Sequence, residues 1–145
     1  MGTSEKIRSG CPVSLGLDIF GDRWTLLIVR DLMFTGKRHF REMLGSAEGI
    51  SSNILADRLQ MLLEEGIVTR AEDPTHRQKV VYRLTEKGID LLPVLMQISR
   101  WSHKYRPVDE AYRPDPGADE RDEQAQWEAM MADLRREHLA PPEPS

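Results

Sequence analysis

The stretch from Gly49 to Thr85 constrains the fold of this chain more than any other. It reads G-I-S-S-N-I-L-A-D-R-L-Q-M-L-L-E-E-G-I-V-T-R, then A-E-D-P-T-H-R-Q-K, then V-V-Y-R-L-T. Ser51 has the short, oxygen-bearing side chain that caps a helix start, and Gly66 is the residue type that ends one. Between them Ile54, Leu55, Leu59, Leu62 and Leu63 recur at helical spacing and make a stripe to bury. Ser52, Asn53, Ala56, Asp57 and Gln60 fall on the other side, all small or polar. Residues 67–70 and 80–84 have the composition of strands, and the polar turn between them carries Arg77 and Lys79.

The flanking segments are helical in pattern. Cys11-Pro12 opens a first helix, since proline at the first helical position forfeits no hydrogen bond. Val13, Leu15, Leu17, Ile19 and Phe20 give that helix an apolar side, and Gly21 stops it. Asp22 caps a second helix from residue 23 to about residue 33, with Trp24, Leu27, Ile28 and Leu32 on one face. A turn over residues 35–38 leads to a short third helix, residues 39–44, anchored by Phe40, Met43 and Leu44. After the second strand, Thr85 caps a long fifth helix to about residue 105, with Pro93 as a candidate kink. The fold class expected is mainly α with a small β-wing, a winged helix-turn-helix. A fourth helix with one packed face and one free polar face, beside a basic ribbon, suits the major groove of double-stranded DNA.

The formal charge of −4 conceals a split. Residues 1–105 hold 15 Lys and Arg against 13 Asp and Glu, whereas residues 106–145 hold 5 against 11. Overall acidity therefore does not exclude nucleic acid. Two domains are expected: residues 1–105, and an acidic, proline-containing extension over residues 106–145. Residues 120–139 of the extension are a candidate terminal helix, with Trp127, Met130, Met131, Leu134 and His138 on one side. Residues 140–145 are expected to fray. The extension could pack on the dimer, compete with DNA for the basic surface through its charge, or be a disordered appendage; packing is slightly preferred, because water disfavours an exposed Trp-Met-Met-Leu stripe.

Several classes of function find no support. No apolar run approaches the ~20 residues a membrane span needs, and the N-terminus lacks an apolar signal core, so a cytoplasmic location is expected. One cysteine and four scattered histidines make no metal-ligand spacing, so neither metal nor cofactor is expected. Walker A and G-x-S-x-G patterns are absent, and Cys11 has no histidine near it in sequence to serve as a base, so the chain is not expected to be an enzyme.

Cys11-Pro12, L-D-I-F-G-D-R-W-T-L-L-I-V-R-D-L, G-K-R-H-F-R-E-M, G-I-S-S-N-I-L-A-D-R-L-Q-M-L-L-E-E-G-I-V and V-V-Y-R-L-T-E-K-G follow one another in order. Together they closely resemble the HxlR family of bacterial transcriptional regulators, over roughly residues 8–105. The resemblance implies a homodimer that binds an operator and represses or activates nearby genes, with repression of a pseudo-palindromic site as the expectation. It also implies dimerisation through the first helix and the long C-terminal one, which makes Leu15, Ile19, Leu95, Ile98, Trp101 and Tyr105 the interface candidates. For Trp101 and Tyr105 packing within the chain competes. The alternative reading is a winged-helix module for protein contact, without an operator. The polar wing T-H-R-Q-K and the acidic extension depart from the family pattern.

The candidate base-reading residues are Ser51, Ser52, Asn53 and Asp57; asparagine can pair bidentately with adenine. Capping alone explains Ser51, and Asp57 could accept from cytosine or pair with Arg58. Lys37, Arg38, Arg58, Arg77 and Lys79 are the candidate phosphate contacts, with a structural salt bridge an equal reading for Arg58. Trp24 is expected in the core. Cys11 is a candidate sensor of oxidants or electrophiles, because a helix N-terminus and nearby Lys6 and Arg8 favour a thiolate; a small capping residue is the plainer reading. The partners expected are double-stranded DNA and a second copy of the chain, with no membrane. A small-molecule effector is left open.

Overall fold

The computed structural model describes residues 7–112 and 122–139, apart from the side chains of residues 76–78. Helix α1 (Pro12–Phe20) starts at Pro12 with Cys11 as its N-cap. The Asp22 carboxylate then accepts from the Trp24 N–H at 2.9 Å, the Thr25 N–H at 3.1 Å and the Thr25 hydroxyl at 2.6 Å. This cap acts from outside the helix, so α2 (Thr25–Phe34) begins later than the expected residue 23. In α3 (Phe40–Leu44) the Glu42 carboxylate reaches back to the N–H groups of His39 at 2.9 Å and Arg38 at 3.0 Å.

Both ends of α4 (Ser52–Glu64) are closed locally. The Ser51 hydroxyl oxygen accepts from the Ile54 N–H at 3.3 Å. At the other end Gly66, at φ 73°, turns the chain left-handed. Its N–H bonds to the Leu63 carbonyl at 3.1 Å, and the Ile67 N–H bonds to the Leu62 carbonyl at 2.9 Å. That pair of bonds is a Schellman motif, and it delivers the buried Ile67 straight into the core.

Strands β1 (Val68–Asp73) and β2 (His76–Leu84) form one antiparallel ribbon, with Val68 opposite Leu84. The ribbon is longer than expected, and only Pro74 and Thr75 connect its strands. Asp73 closes this turn by accepting from the Thr75 N–H at 2.8 Å and the Thr75 hydroxyl at 2.6 Å. Away from the protein body both faces of a ribbon meet water, so polar residues continue the ladder without an apolar signal.

The continuous fifth helix expected from the sequence is two helices, α5 (Glu86–Ile89) and α6 (Leu92–Tyr105). Proline inside a helix removes one hydrogen bond and clashes with the carbonyl four residues before it. The chain escapes that clash by breaking at Asp90 and Leu91, which puts Pro93 in the first turn of α6. Thr85 caps α5 as expected, accepting from the Gly88 N–H at 3.2 Å. Gly88 cannot carry a Cβ, which would overlap the Ile67 carbonyl oxygen.

The core gathers Ile28, Val29 and Leu32 of α2, Met43 of α3, Leu55, Leu59 and Leu62 of α4, and Ile67, Val68 and Leu84 at the base of the ribbon. Trp24 packs against it half-buried. The acidic extension contributes too. Its helix α7 (Glu123–Leu139) buries Trp127, Leu134 and His138, with Met130 and Met131 partly covered. Of the proline-containing extension, residues 113–121 lie outside the described residues, as does the expected frayed end over residues 140–145. Among the described residues no helix is long and apolar enough to cross a membrane.

His138 joins α7 to the ribbon: its Nδ1 accepts from the Leu84 N–H at 2.9 Å, which requires an unprotonated nitrogen. Burial lowers its pKa from 6.5 to about 4, and the charges of Arg38 and Arg83 push the same way. Between these two values the unfolded chain binds a proton that the folded chain refuses, so this group makes stability rise with pH. We expect the stability advantage of the wild type over His138→Gln to shrink by about 2 kcal/mol between pH 7 and pH 4. Urea melts of both proteins across that range check this; a constant difference would refute it.

Candidate nucleic-acid interface

The outer face of α4 is set by what its inner face buries. With Leu55, Leu59 and Leu62 in the core, Ser52, Asn53, Ala56, Asp57 and Gln60 are all exposed. Ser51, Ser52 and Asn53 stand together at the helix start, and the first turn holds no carboxylate. A helix N-terminus carries a partial positive charge, so this end tolerates a phosphate. Asp57 pairs with Arg58, and Glu64 and Glu65 lie farther along, so α4 becomes acidic away from its start.

A buried carboxylate fixes where that start lies. Asp31 of α2 is only 3 % exposed. It accepts from Arg30 at 3.1 and 2.8 Å and from the Ser46 hydroxyl. Arg30 also grips both oxygens of Glu48, at 2.7 and 2.8 Å. This contact holds the Glu48 pKa down at about 2, against the smaller effect of burial. Ser46 and Glu48 lie in the turn between α3 and α4, so the network ties that turn to α2.

The candidate phosphate residues separate in the structure. Lys37 donates to the Ser46 hydroxyl at 2.6 Å and lies 3.9 Å from Asp31. Arg38 faces inward, donating to the Leu32 and Lys37 carbonyls, both at 2.8 Å, with Glu137 at 3.5 Å. Burial lowers its pKa, against the pull of Glu137. Arg58 donates to Asp22 at 3.1 Å, joining the cap of α2 to α4. Burial would raise the Asp22 pKa, but its hydrogen bonds from Thr25, Trp24 and Arg58 hold it at about 2. Lys79 is exposed on the ribbon, and the side chain of Arg77 lies outside the described residues. Two further exposed cations, Arg41 on α3 and Arg70 on β1, escaped sequence reasoning. Isolated arginines in a charged sequence carry no signal of orientation; only the fold shows them on the surface.

His39 links this surface to the ribbon. One ring nitrogen lies 2.8 Å from Glu42 and the other 2.9 Å from Asp73, beside the wing turn. Asp73 and Glu42 together raise the pKa of His39 above 6.5.

Helix α1 borders this surface, since its Leu17, Asp18 and Ile19 line one cleft with Asp57, Arg58 and Gln60 of α4. No residue of α1 is fully buried, and Val13 and Leu17 are exposed. On α6, Val94, Ile98, Trp101 and Tyr105 are exposed, the last two at 57 % and 61 %. Their spacing puts all four on one side of the helix. Leu15 is exposed at 39 %, whereas Ile19 and Leu95 are partly covered by the core. The Trp101 and Tyr105 rings lie 5.2 Å apart, a contact within the same helix. Cys11 is exposed, and its pKa is lowered by the backbone N–H groups of Ser14 and then Val13.

The profile of the HxlR-like helix-turn-helix family matches residues 19–110. The chain belongs to this family. An uncharacterized HTH-type transcriptional regulator of Mycobacterium tuberculosis (strain H37Rv) is 37 % identical over 101 residues, 70 % of this chain. That match spans 63 % of the mycobacterial protein, less than two thirds of its length. The reduced form of the Bacillus subtilis transcriptional regulator YodB superposes with a TM-score of 0.57 at 35 % identity, covering 70 % of this chain and all of YodB. The redox regulator HypR in its oxidized form gives a TM-score of 0.60 at 34 % identity, covering 68 % of this chain and all of HypR. These similarities identify the α2–β2 segment of this HxlR-family chain as a winged helix.

Two outcomes are expected. Asp31→Asn keeps the shape but removes the charge that Arg30 and Lys37 face, so the protein should lose about 1–3 kcal/mol in a urea melt with its helix content intact. His39 has a raised pKa, so its contribution is complete below pH 6.5 and fades as pH rises through the folded value. Hydrogen exchange of the ribbon should accordingly quicken with alkalinity more in the wild type than in His39→Gln, after correction for intrinsic rates; equal quickening would count against the link.

Proposed function

We propose that this chain is a homodimeric, sequence-specific DNA-binding regulator of transcription, acting in the cytoplasm as a repressor. The observation that carries the reading is the exposed, carboxylate-free first turn of α4, held in place by Asp31, in a fold whose ribbon carries the exposed Lys79. Asn53 and Ser52 are the foremost base-reading residues, with Ser51 serving mainly as the cap and Asp57 at the margin. Lys79, Arg77, Arg41 and Arg70 supply phosphate contacts, which give affinity and register but no sequence choice. Arg38, Lys37 and Arg58 act instead by shaping the surface, because a carbonyl, a hydroxyl and a carboxylate respectively engage their donors.

Dimerisation is supported by the exposed apolar residues of α1 and α6. Leu15, Ile98, Trp101 and Tyr105 form the centre of the interface, with Ile19 and Leu95 at its inner edge. A two-fold axis there would present two α4 helices to a pseudo-palindrome, with half-sites about one helical turn, ~34 Å, apart.

Cys11 is the candidate signal receiver. It is exposed at the end of a proposed dimer helix, and its thiol is acidified by backbone N–H groups. YodB has also been solved bound to quinone and after treatment with diamide. With one cysteine in the chain, oxidation would yield an intersubunit or mixed disulfide, and an electrophile would add to the thiolate directly.

Fluorescence anisotropy with duplexes tiled from the DNA upstream of its own gene, over a salt series, tests the reading. Saturable, salt-weakened binding to one tile above scrambled duplex is expected. Asn53→Ala should lose about 1–3 kcal/mol on that tile alone. Lys79→Ala should weaken all tiles evenly and lower the salt slope by about 1. Diamide should release the wild type and spare Cys11→Ser; release of both removes Cys11 from the mechanism. No binding at low salt would favour the protein-contact module.

A further inference from the structure

Helix α6 is poorly held by its own protomer. It follows the break at Asp90 and Leu91, and only Leu92 is fully buried. From Gln97 to Tyr105 every residue except Ser102 is exposed. A helix attached by one turn beyond a broken joint can swing. Helix α7 meets it there, with Glu123 of its first turn paired to Arg100, midway along α6.

The other end of α7 is fastened to the winged helix. His138 accepts from the Leu84 N–H at the end of β2, Glu137 faces Arg38 at 3.5 Å, and Arg135 reaches Glu86 of α5 at 2.6 Å. Between these ends Trp127 and Leu134 sit in the core. Seventeen residues of helix span about 25 Å, so α7 bridges a distance on the scale of the domain itself. Arg100 also lies off the Val94–Ile98–Trp101–Tyr105 side of α6, so α7 supports the helix from behind and leaves its apolar side open. The family match ends at residue 110, before α7 begins.

We propose that α7 is a strut that fixes the direction of α6 relative to α4, with Arg100, Glu123 and His138 as positioning residues, and thereby sets the half-site spacing the dimer accepts. The proposal rests on the dimeric DNA-binding reading. Trp127 and Leu134 attach the strut, and the contacts at its two ends orient it.

A distance measurement without DNA tests it. Gln60→Cys in a Cys11→Ser background puts one spin label on the outer face of each α4, and double electron–electron resonance reads the separation across the dimer. The full-length parent should give one narrow distribution. Glu123→Arg and His138→Leu should each at least double its width, and the exchange Arg100→Glu with Glu123→Arg should restore it, which a mere loss of stability would not do. Unchanged width in both single variants, with only a lower melting temperature, would overturn the strut. A parent lacking any dipolar distance would be monomeric, and would overturn the dimer reading itself.

Discussion

Leu55, Leu59 and Leu62 have essentially no contact with solvent, and they anchor α4 against Ile28, Val29 and Leu32 of α2. Burial of side chains of this size is worth roughly 1.5–3 kcal/mol each, so turning α4 about its axis would forfeit several such terms at once. That constraint selects which side chains can face outward. Asn53 and Ser52 are exposed because their neighbours at helical spacing cannot be. Packing fixes rotation but permits sliding, and the polar contacts remove that freedom. Asp31 holds the turn before α4, Asp22 and Arg58 tie its middle to the start of α2, and the Schellman motif at Gly66 closes its end.

Charge in this domain is divided between building the surface and presenting it. Lys37, Arg38 and Arg58 resemble a basic patch in the sequence, yet each donates to a carbonyl, hydroxyl or carboxylate of the same protomer. Direct hydrogen bonds to charged groups are worth more than exposed ion pairs, and they hold the side chain in one place. Arg41 of α3 and Arg70 and Lys79 of the ribbon stay exposed. The acidic extension, which dominates the net charge, sits against α5, α6 and β2.

Two histidines give the fold opposite responses to acid. His39 is bound between two carboxylates and favours the protonated state, whereas His138 accepts from a backbone N–H and favours the neutral one. Both connect to the ribbon, one beside its turn and one at its base. The two contacts coexist between the lowered pKa of His138 and the raised pKa of His39, since His138 loosens as pH falls toward about 4 and His39 as pH rises through its folded value.

The repeat of Ile54, Leu55, Leu59, Leu62 and Leu63, the caps at Ser51 and Thr85, the stop at Gly66 and the order of elements were all legible in the chain, because helical periodicity and capping act over a few residues. The two-stranded wing followed from similarly local patterns, and the family from the resemblance of the ordered motifs. The break at Asp90 and Leu91 was only half legible: Pro93 signalled a disturbance, but whether a helix kinks or splits depends on what its halves pack against. Three-dimensional packing alone decided that Arg38 turns inward, that His39 meets Asp73, and that His138 accepts from the Leu84 N–H. These contacts join residues far apart in sequence, whose meeting depends on the whole chain's burial of apolar surface rather than on any local preference.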